Sequence, residues 1–333
     1  MTAQLTIEEI AAALRGAKRV AIISHTRPDG DTLGANLGLG AALRSLGKTV
    51  SNLCEDEIPA KFCYMEGFSE FNRVQSENFD LAVSVDCGDL QRLGSCEEIF
   101  SACKKTVNID HHISNDCYAK FNLIKYYAST CEIVFEILEV LGVRMTQGIA
   151  ECLYTGLSTD TGNFMHGNTT SHTLLAAAGL ARSIPDISKL TTILYKEMSK
   201  ERLLLLAKAL PTVRFYLDNK LAIMTVRTAM LEETGAKSSY TEGFVDYTIN
   251  VSGVEVGVCL LESGENCFKV SFRSKTQDVC EIAERFGGGG HKCAAGCRIC
   301  GFYEDALDKL VREVAIALEA RESAEKKNRG SHR

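Results

Sequence analysis

The chain has 333 residues, of which 45% are hydrophobic and 24% are charged, and its formal net charge is −6. This length fits one large and one small domain, because single hydrophobic cores stop growing at roughly 250–300 residues. The composition excludes a disordered protein, and the acidic balance argues against duplex DNA as a partner, since proteins that coat duplexes normally present a basic face.

The first part of the chain alternates predicted strands with predicted helices. Thr6 and Glu9 form a capping-box pattern before an amphipathic helix that ends near Gly16. Four runs rich in β-branched or apolar residues are strand candidates: VAIISH, KTVSNLC, DLAVSVD and TVNID. Helical patterns at 31–46 and 129–141 accompany them. The alternation predicts an α/β domain at 1–185, with a mostly parallel sheet covered by helices on both faces.

The segment MTAQLTIEEIAAALRGAKRV contains acidic residues and no apolar stretch of signal-peptide type, and no run of about 18 apolar residues occurs. We therefore expect a cytoplasmic protein with no membrane partner. In that reducing compartment the 14 cysteines are expected to be reduced, buried side chains rather than disulfides.

The pattern of predicted elements changes at Pro211, from helices before it to antiparallel strands after it. Helical patterns at 147–159 and 170–209, interrupted near Pro185, precede this point, and 186–211 is expected to be a helical linker. Beyond it, the pattern predicts a hairpin turning at Asp218–Asn219, a second antiparallel pair at 254–263 and 267–274, and helices at about 277–286 and 303–320. These elements predict a smaller α+β domain at 212–322, followed by a charged, frayed tail at 323–333.

Acidic and imidazole side chains follow the predicted strands of the first domain. They are His25, Asp29 and Asp31 in HTRPDGDT, Asp86 with Asp89 as a weaker candidate in VDCGD, Asp110, His111 and His112 in NIDHH, and Asp160 in STDTGNF. Taken singly, an Asp beside Gly is usually a turn or helix-capping residue, and a lone His is usually a surface residue. Open parallel sheets, however, place their chemistry at the carboxyl edge.

Gathered at one edge, these carboxylates would repel one another unless cations neutralised them. Their number suits two divalent ions that share one bridging Asp. Mixed carboxylate and imidazole ligands favour Mn²⁺, with Mg²⁺ or Co²⁺ as alternatives, over a structural zinc. Two such ions can activate a water and hold the phosphoryl group that it attacks.

The second domain carries a candidate anion site. Four glycines, 287–290, stand before His291 in RFGGGGHKCAAG, and such a run allows backbone N–H groups to approach an anion, although a flexible loop is the plain alternative. Arg273 and Ser274 in VSFRSK offer a guanidinium and a hydroxyl suited to a terminal phosphate. Cys293, Cys297 and Cys300 have spacing that could hold an iron–sulfur cluster or, with His291, a zinc ion.

The motifs HTRPDGDTLGA, VDCGD, NIDHH and STDTGNF, followed by EGFVDY, GVEVGV, SFRSK and GGGGHKCAAG, together resemble the DHH phosphoesterases with their DHH-associated C-terminal domain. Within that family the chain is similar to the standalone oligoribonuclease and bisphosphate-nucleotide phosphatase branch. The ordered match covers nearly the whole chain. It implies an active site in the cleft between the two domains. By the same resemblance, Cys293 is a packing residue on a strand and not a metal ligand.

The resemblance also implies residue roles. One ion would be held by His25, Asp29 and Asp86, and the other by Asp31, Asp86, His111 and Asp160. His112 would face the scissile phosphate or the leaving oxygen, and Asp110 would orient an imidazole from behind. Arg273, Ser274, Gly288, Gly289, Gly290 and His291 would bind the other phosphate and sugar of the substrate. Phe164 is a candidate for base stacking, with a core role as the alternative.

The family implies hydrolysis of oligoribonucleotides of about two to five nucleotides, and the chain has neither an OB-like domain nor clustered aromatic residues to follow a longer strand. It also implies phosphatase activity on 3′-phosphoadenosine 5′-phosphate (pAp). Rival hypotheses are a phosphodiesterase for the dinucleotide pApA or cyclic di-AMP, and a catalytically silent nucleotide-binding regulator. A pyrophosphatase is disfavoured because the GGGGH domain offers more contacts than pyrophosphate needs. The oligomeric state stays open, with a homodimer as one option.

Overall fold

The structure is a computed structural model that describes residues 2–74 and 78–330. It divides into two units, and a parallel sheet lies at the centre of the first, Met1–Glu197. Its described strands are β1 (Ala3–Gln4), β2 (Arg19–Ile23), β3 (Thr49–Leu53), β4 (Leu81–Val85), β5 (Thr106–Asp110) and β6 (Phe121–Ile124). They pair in the order β1-β6-β5-β4-β2-β3, and each of these pairs is parallel. The predicted mostly parallel sheet is confirmed.

Helices cover both faces of this sheet. They are α1 (Ile7–Gly16), α2 (Gly30–Ser45), α3 (Glu97–Ala102), α4 (Thr130–Leu141), α5 (Gln147–Asp160), α6 (Ser171–Ala181) and α7 (Ile187–Tyr195). Successive residues of β2 point to opposite faces, as strand geometry requires. Val20 and Ile22 therefore join the core that contains α1, α2 and α4, whereas Ala21 and Ile23 join a second core with Phe100 of α3. Burial on both faces explains why β2 and β4 are mostly apolar.

Side-chain caps define where the helices begin. The Thr6 hydroxyl accepts a hydrogen bond from the Glu9 N–H, and the Glu9 carboxylate accepts one from the Thr6 N–H, so the predicted capping box is present. Ser129 caps α4 by accepting a hydrogen bond from the Glu132 N–H. Asp29 caps α2 by accepting from the N–H groups of Asp31 and Thr32.

Helices α2 and α5 pack in close contact, and Gly156 makes this possible. A side chain at Gly156 would collide with the Cys131 thiol and with the Asp31 carboxylate. The close approach brings the last residue of α5, Asp160, to the first turn of α2, where Asp31 lies. The packing of two helices thus sets one edge of the site described below.

The second unit, Met198–Arg333, contains a mixed sheet. Its described elements are α8 (Lys200–Ala209), β7 (Arg214–Tyr216), β8 (Leu221–Val226), α9 (Thr228–Thr234), α10 (Asp246–Ile249), β9 (Val256–Glu262), β10 (Cys267–Ser274), α11 (Val279–Glu284), β11 (Gly289–His291), β12 (Ala294–Cys300) and α12 (Tyr303–Gly330). The strands pair in the order β11-β12-β10-β9-β8-β7. Both predicted antiparallel pairs, β7 with β8 and β9 with β10, are present, while β8 and β9 are parallel.

One prediction about the cysteines was wrong. Cys267, the first residue of β10, forms a disulfide with Cys300, the last residue of β12. These two residues are directly paired across antiparallel strands, which brings their Cα atoms to 4.1 Å. A metal site built from Cys293, Cys297 and Cys300 therefore lacks one of its thiols, and Cys297 is buried in the core of this unit.

The division between the units falls at Glu197 and Met198, within the predicted linker 186–211, which contains α7 and α8. The tail was expected to fray from residue 323, but α12 continues to Gly330, and 331–333 lie outside the described residues. Within the described part of the chain, no helix combines the length and apolar character needed to cross a bilayer.

Candidate metal centre

Three neighbouring strands end beside one another at the site. His25 lies two residues after β2, Asp86 follows β4 directly, and Asp110 is the last residue of β5. Because β4 pairs with both β2 and β5 in parallel, these three carboxyl ends meet at one edge of the sheet. Helix ends add Asp29 and Asp31 from the start of α2 and Asp160 from the end of α5.

Among the described residues, the ligand atoms form three clusters, each with its atoms within 4.8 Å of one another. The clusters are His25, Asp29 and Asp86; Asp31, His111 and Asp160; and Asp86, His111 and His112. The structure thus brings together the acidic and imidazole residues singled out in the sequence. Asp89 is not in a cluster, because its carboxylate accepts a hydrogen bond from the Arg92 N–H and caps a short helical turn.

Asp86 lies between two of these clusters. Its Oδ2 is 3.5 Å from Nε2 of His25, and its Oδ1 is 3.4 Å from Nε2 of His111. The residue is 2% exposed and has a φ of 56°, a left-handed conformation that non-glycine residues rarely adopt. Backbone strain of this kind concentrates at functional sites. The geometry therefore suits a carboxylate shared by two cations.

Each imidazole is oriented through its Nδ1 atom. Nδ1 of His25 is 2.8 Å from the Thr26 carbonyl, and Nδ1 of His111 is 3.1 Å from the Tyr127 carbonyl. With the proton on Nδ1, Nε2 of His111 presents a lone pair to the carboxylate cluster, and the Thr26 carbonyl favours the same tautomer of His25. His112 differs, because its Nδ1 lies 2.7 Å from Oδ1 of Asp110. Backing by a buried carboxylate distinguishes it from the other two.

Burial and like charge dominate the electrostatics. Burial and the Asp86 carboxylate raise the pKa of Asp31 to about 7, and burial with Asp31 and Asp86 raises that of Asp160 well above its usual value. Burial also opposes charge on Asp86, but hydrogen bonds from His111 and His25 lower its pKa. Although burial disfavours the His111 cation, Asp86 and Asp31 raise its pKa to about 11.

These carboxylates crowd a buried space where protein groups do not supply enough positive charge for all of them to ionise. Divalent cations would remove that conflict, since they favour the ionised form of each ligand. The donors are oxygen and imidazole nitrogen, without thiolate, which suits Mn²⁺ and similar ions. The residues present therefore fit a two-cation centre.

Arg92 is a site residue that the sequence did not reveal. Its Nη2 lies 3.0 Å from Nδ1 of His25, and its carbonyl accepts a hydrogen bond from the Thr26 N–H. Burial and this guanidinium oppose protonation of His25, whereas Asp86 and Asp29 favour it and raise its pKa. A single sequence contains no signal for this contact, because Arg92 and His25 lie 67 residues apart.

Phe164 packs as a core residue. Its ring centroid lies 6.0 Å from that of Tyr154, in an edge-to-face arrangement, and the side chain packs against the main core of this unit. This packing supports the core role, and base stacking by the exposed part of the half-buried ring stays a prediction. Its backbone is unusual, since Asn163 and Phe164 both have positive φ.

The predicted anchor residues of the second unit lie on β10 and β11, the two strands that flank β12. Arg273 of β10 and His291 of β11 are both paired with Ala294 of β12, one from each side. Residues in one such row point to the same face of the sheet, roughly 10 Å apart across two strand spacings. The Ser274 hydroxyl accepts hydrogen bonds from the N–H groups of Thr276 and Gln277, so it already shapes a turn.

The tetraglycine segment is partly a strand. Gly288 and Gly290 lie so close to β12 that a side chain on either would collide with its backbone, and Gly290 also has a φ of 150°. Close packing thus explains these two glycines. Gly289 is different, because a side chain there would meet nothing within 4 Å and its φ is not positive. The fold itself does not require glycine at this position.

Comparisons with known proteins identify the family of this chain. The N-terminal domain model of the DHH family matches residues 19–157, and the DHHA1 domain model matches residues 218–320. The bifunctional oligoribonuclease and PAP phosphatase NrnA of Thermus thermophilus is 32% identical over 320 residues, covering 93% of this chain and 94% of that protein. The protein of the same name from Bacillus subtilis is 26% identical and covers 87% of this chain and 91% of its own length.

A solved structure has the same fold. The crystal structure of an exopolyphosphatase-related protein from Bacteroides fragilis matches with a TM-score of 0.86 at 25% identity, covering 93% of this chain and 95% of that chain. The chain belongs to the DHH family of phosphoesterases and carries a DHHA1 domain in its C-terminal unit.

Proposed function

We propose that this DHH phosphoesterase degrades short oligoribonucleotides to mononucleotides and removes a phosphate from pAp. The observation that carries the proposal is Asp86, whose two oxygens face His25 and His111 in separate clusters. The relatives from Thermus thermophilus and Bacillus subtilis, each named a bifunctional oligoribonuclease and PAP phosphatase, supply the two substrate classes.

Two divalent cations would occupy the centre, with Mn²⁺ as our first choice and Mg²⁺ or Co²⁺ as alternatives. His25, Asp29 and Asp86 would hold one, and Asp31, Asp86, His111 and Asp160 would hold the other. When bound, such ions lower the pKa of water and withdraw charge from the phosphoryl group.

His112 would serve the leaving group. Its Nδ1 bonds to Asp110, whose second oxygen accepts a hydrogen bond from Nδ2 of Asn115 at 2.5 Å. Held in this way, the ring would direct Nε2 toward the substrate, where it can hold a proton and donate it to the departing oxygen. Asp110 would stabilise the charged ring and fix its orientation.

Arg273, His291 and the backbone around Gly289 would bind the phosphate that is not cleaved. The guanidinium and imidazole lie in one row across three strands, so they could contact one anion from two sides. An anchor of this size suits a nucleotide or short oligonucleotide. It offers no extended basic track for a long strand.

A substrate panel tests the proposal. Turnover of RNA dimers to pentamers, pAp, pApA, cyclic di-AMP and pyrophosphate is measured on the full chain with Mn²⁺ and with EDTA. We expect Mn²⁺-dependent hydrolysis of the RNA series and of pAp. Preferential turnover of pApA or cyclic di-AMP would select the rival phosphodiesterase, and no hydrolysis of any substrate would favour the nucleotide-binding regulator.

A further inference from the structure

The start of helix α4 contacts two of the acidic residues at the centre. The hydroxyl of Thr130, its first residue, donates a hydrogen bond to Oδ1 of Asp86 at 3.1 Å. Thr130 is fully buried, and Asp86 is 2% exposed. A hydroxyl in this position orients the carboxylate that lies between the two clusters.

The same turn of α4 binds Asp31 through its backbone. The Thr130 N–H donates to Oδ2 of Asp31 at 2.6 Å, and the Cys131 N–H donates to Oδ1 at 3.0 Å. These are two of the N–H groups that a helix leaves without partners in its first turn. Because each oxygen accepts one bond, the Asp31 carboxylate cannot rotate, and its remaining lone pairs are aimed at fixed positions.

The turn is itself held in place from outside the centre. The buried Glu132 carboxylate accepts a hydrogen bond from the Ala128 N–H at 3.0 Å and contacts Nδ1 of His172 at 2.5 Å. Nδ2 of Asn168 donates to the Ala128 carbonyl at 3.2 Å and to the Asp160 carbonyl at 3.1 Å. The donors of Thr130 are therefore set before any cation arrives.

We propose that Thr130 is a positioning residue for the metal centre, which sets Asp86 through its hydroxyl and Asp31 through its backbone N–H. The inference rests on the proposed metal-dependent function. It assigns a task to the STCE segment, which neither the acidic motifs nor the anion site includes. Partners that orient metal ligands commonly change metal affinity about 10- to 100-fold when they are removed.

Three substitutions separate the two donors. Thr130→Ser keeps both, Thr130→Val removes only the hydroxyl at nearly constant volume, and Thr130→Pro removes both. Proline is well tolerated at the first position of a helix, and Ser129 before it has φ −158° and ψ 160°, the extended backbone that a following proline requires. If the Val variant does not fold, Thr130→Ala replaces it.

The test is the Mn²⁺ dissociation constant of the metal-free full chain, measured by isothermal titration calorimetry, with thermal unfolding as a check on the fold. We expect the Ser variant to stay near wild type, the Val variant to bind about 10- to 100-fold more weakly, and the Pro variant to bind more weakly still.

Wild-type affinity in the Val variant, or equal losses in the Ser and Val variants, would overturn the role of the hydroxyl. Equal losses in the Val and Pro variants would overturn the role of the N–H. If wild type itself binds no Mn²⁺, the proposed function fails instead.

Discussion

Oδ1 of Asp110 lies 2.7 Å from Nδ1 of His112, and Asp110 is fully buried. The neighbouring residue in sequence, His111, has no such carboxylate behind it and bonds to a backbone carbonyl. Two adjacent histidines are thus prepared for different chemistry. His111 is set to present a lone pair to a cation, and His112 is set to carry a proton.

We expect Asp110→Asn to lower kcat on pAp by about 100-fold or more, with a small change in KM, because the amide cannot stabilise the charged ring. Steady-state kinetics at several pH values measures this. Asn115→Ala is the matched control, since it removes one partner of Asp110 and leaves the His112 contact intact. A wild-type kcat in Asp110→Asn would exclude His112 as the proton donor.

Asp86→Asn should reduce kcat to less than about 1% of wild type, since losing a shared charge weakens both cation sites. Asn tolerates the positive φ at this position, so the fold should persist. Asp89→Asn is the control: it lies in the same VDCGD motif but caps a helical turn, a task that Asn performs equally well. The measurements are turnover and bound Mn²⁺ per chain. Full metal content in Asp86→Asn would contradict the shared ligand.

The ends of strands and helices could be predicted because local signals encode them. The apolar runs that predicted strands are followed by Asp or His residues. The Thr6–Glu9 pattern predicted the start of a helix, and the structure has that helix, α1. Since parallel strands place their carboxyl ends at one edge, Asp86 and Asp110 could be expected at the same edge of the sheet even without the strand order. The centre was therefore foreseeable from residue types and spacing.

The remaining features depend on contacts between distant parts of the chain. Thr130 meets Asp31, 99 residues away, only through the packing of α4 near α2. The Cys267–Cys300 disulfide depends on a strand register across 33 residues, which spacing cannot specify. The tetraglycine segment looked uniform in sequence, yet a positive φ at Gly287 and close packing of Gly288 and Gly290 against β12 call for glycine, whereas the fold does not require it at Gly289.

Arg273→Ala should raise KM for phosphate-terminated substrates by about 10-fold or more and change kcat little, because the guanidinium binds the uncleaved part of the substrate. Arg273→Lys should recover only part of the loss, since an ammonium lacks the bidentate geometry. Kinetics on pAp and on an RNA trimer measures both. If KM stays at the wild-type value in the Ala variant, Arg273 is not the anchor.

Gly289 and Gly290 form a matched pair. Gly290→Ala should lower the melting temperature, because its side chain collides with β12 and its φ of 150° disfavours other residues. Gly289→Ala should fold normally, since a Cβ there meets open space, but should raise KM if a phosphate approaches that backbone. Thermal unfolding and pAp kinetics separate the effects. Unchanged kinetics in Gly289→Ala would remove this segment from the proposed anchor.

The centre should also give the metal-free protein a characteristic pH dependence. Burial and Asp86 raise the pKa of Asp31 to about 7 in the folded state, from an unfolded value of about 3.9. Between these values the folded chain binds more protons than the unfolded chain, so the free energy of unfolding falls as pH rises. His111 adds almost no slope below about pH 5.5, because both the folded and the unfolded chain are protonated there and its stabilising contribution is fully present.

We therefore expect denaturant unfolding in EDTA to show that wild type loses stability relative to Asp31→Asn between pH 4 and pH 6.5, by at most about 1.4 kcal/mol per pH unit. Asp80→Asn is the control. Hydrogen bonds from the Arg19 side chain and backbone lower the pKa of Asp80 to about 2, so its contribution is constant above about pH 5 and below that falls as pH falls, the opposite direction to Asp31. A difference between wild type and Asp31→Asn that does not change with pH would show that Asp31 is ionised without a cation, and the electrostatic case for the metal centre would lose its main support.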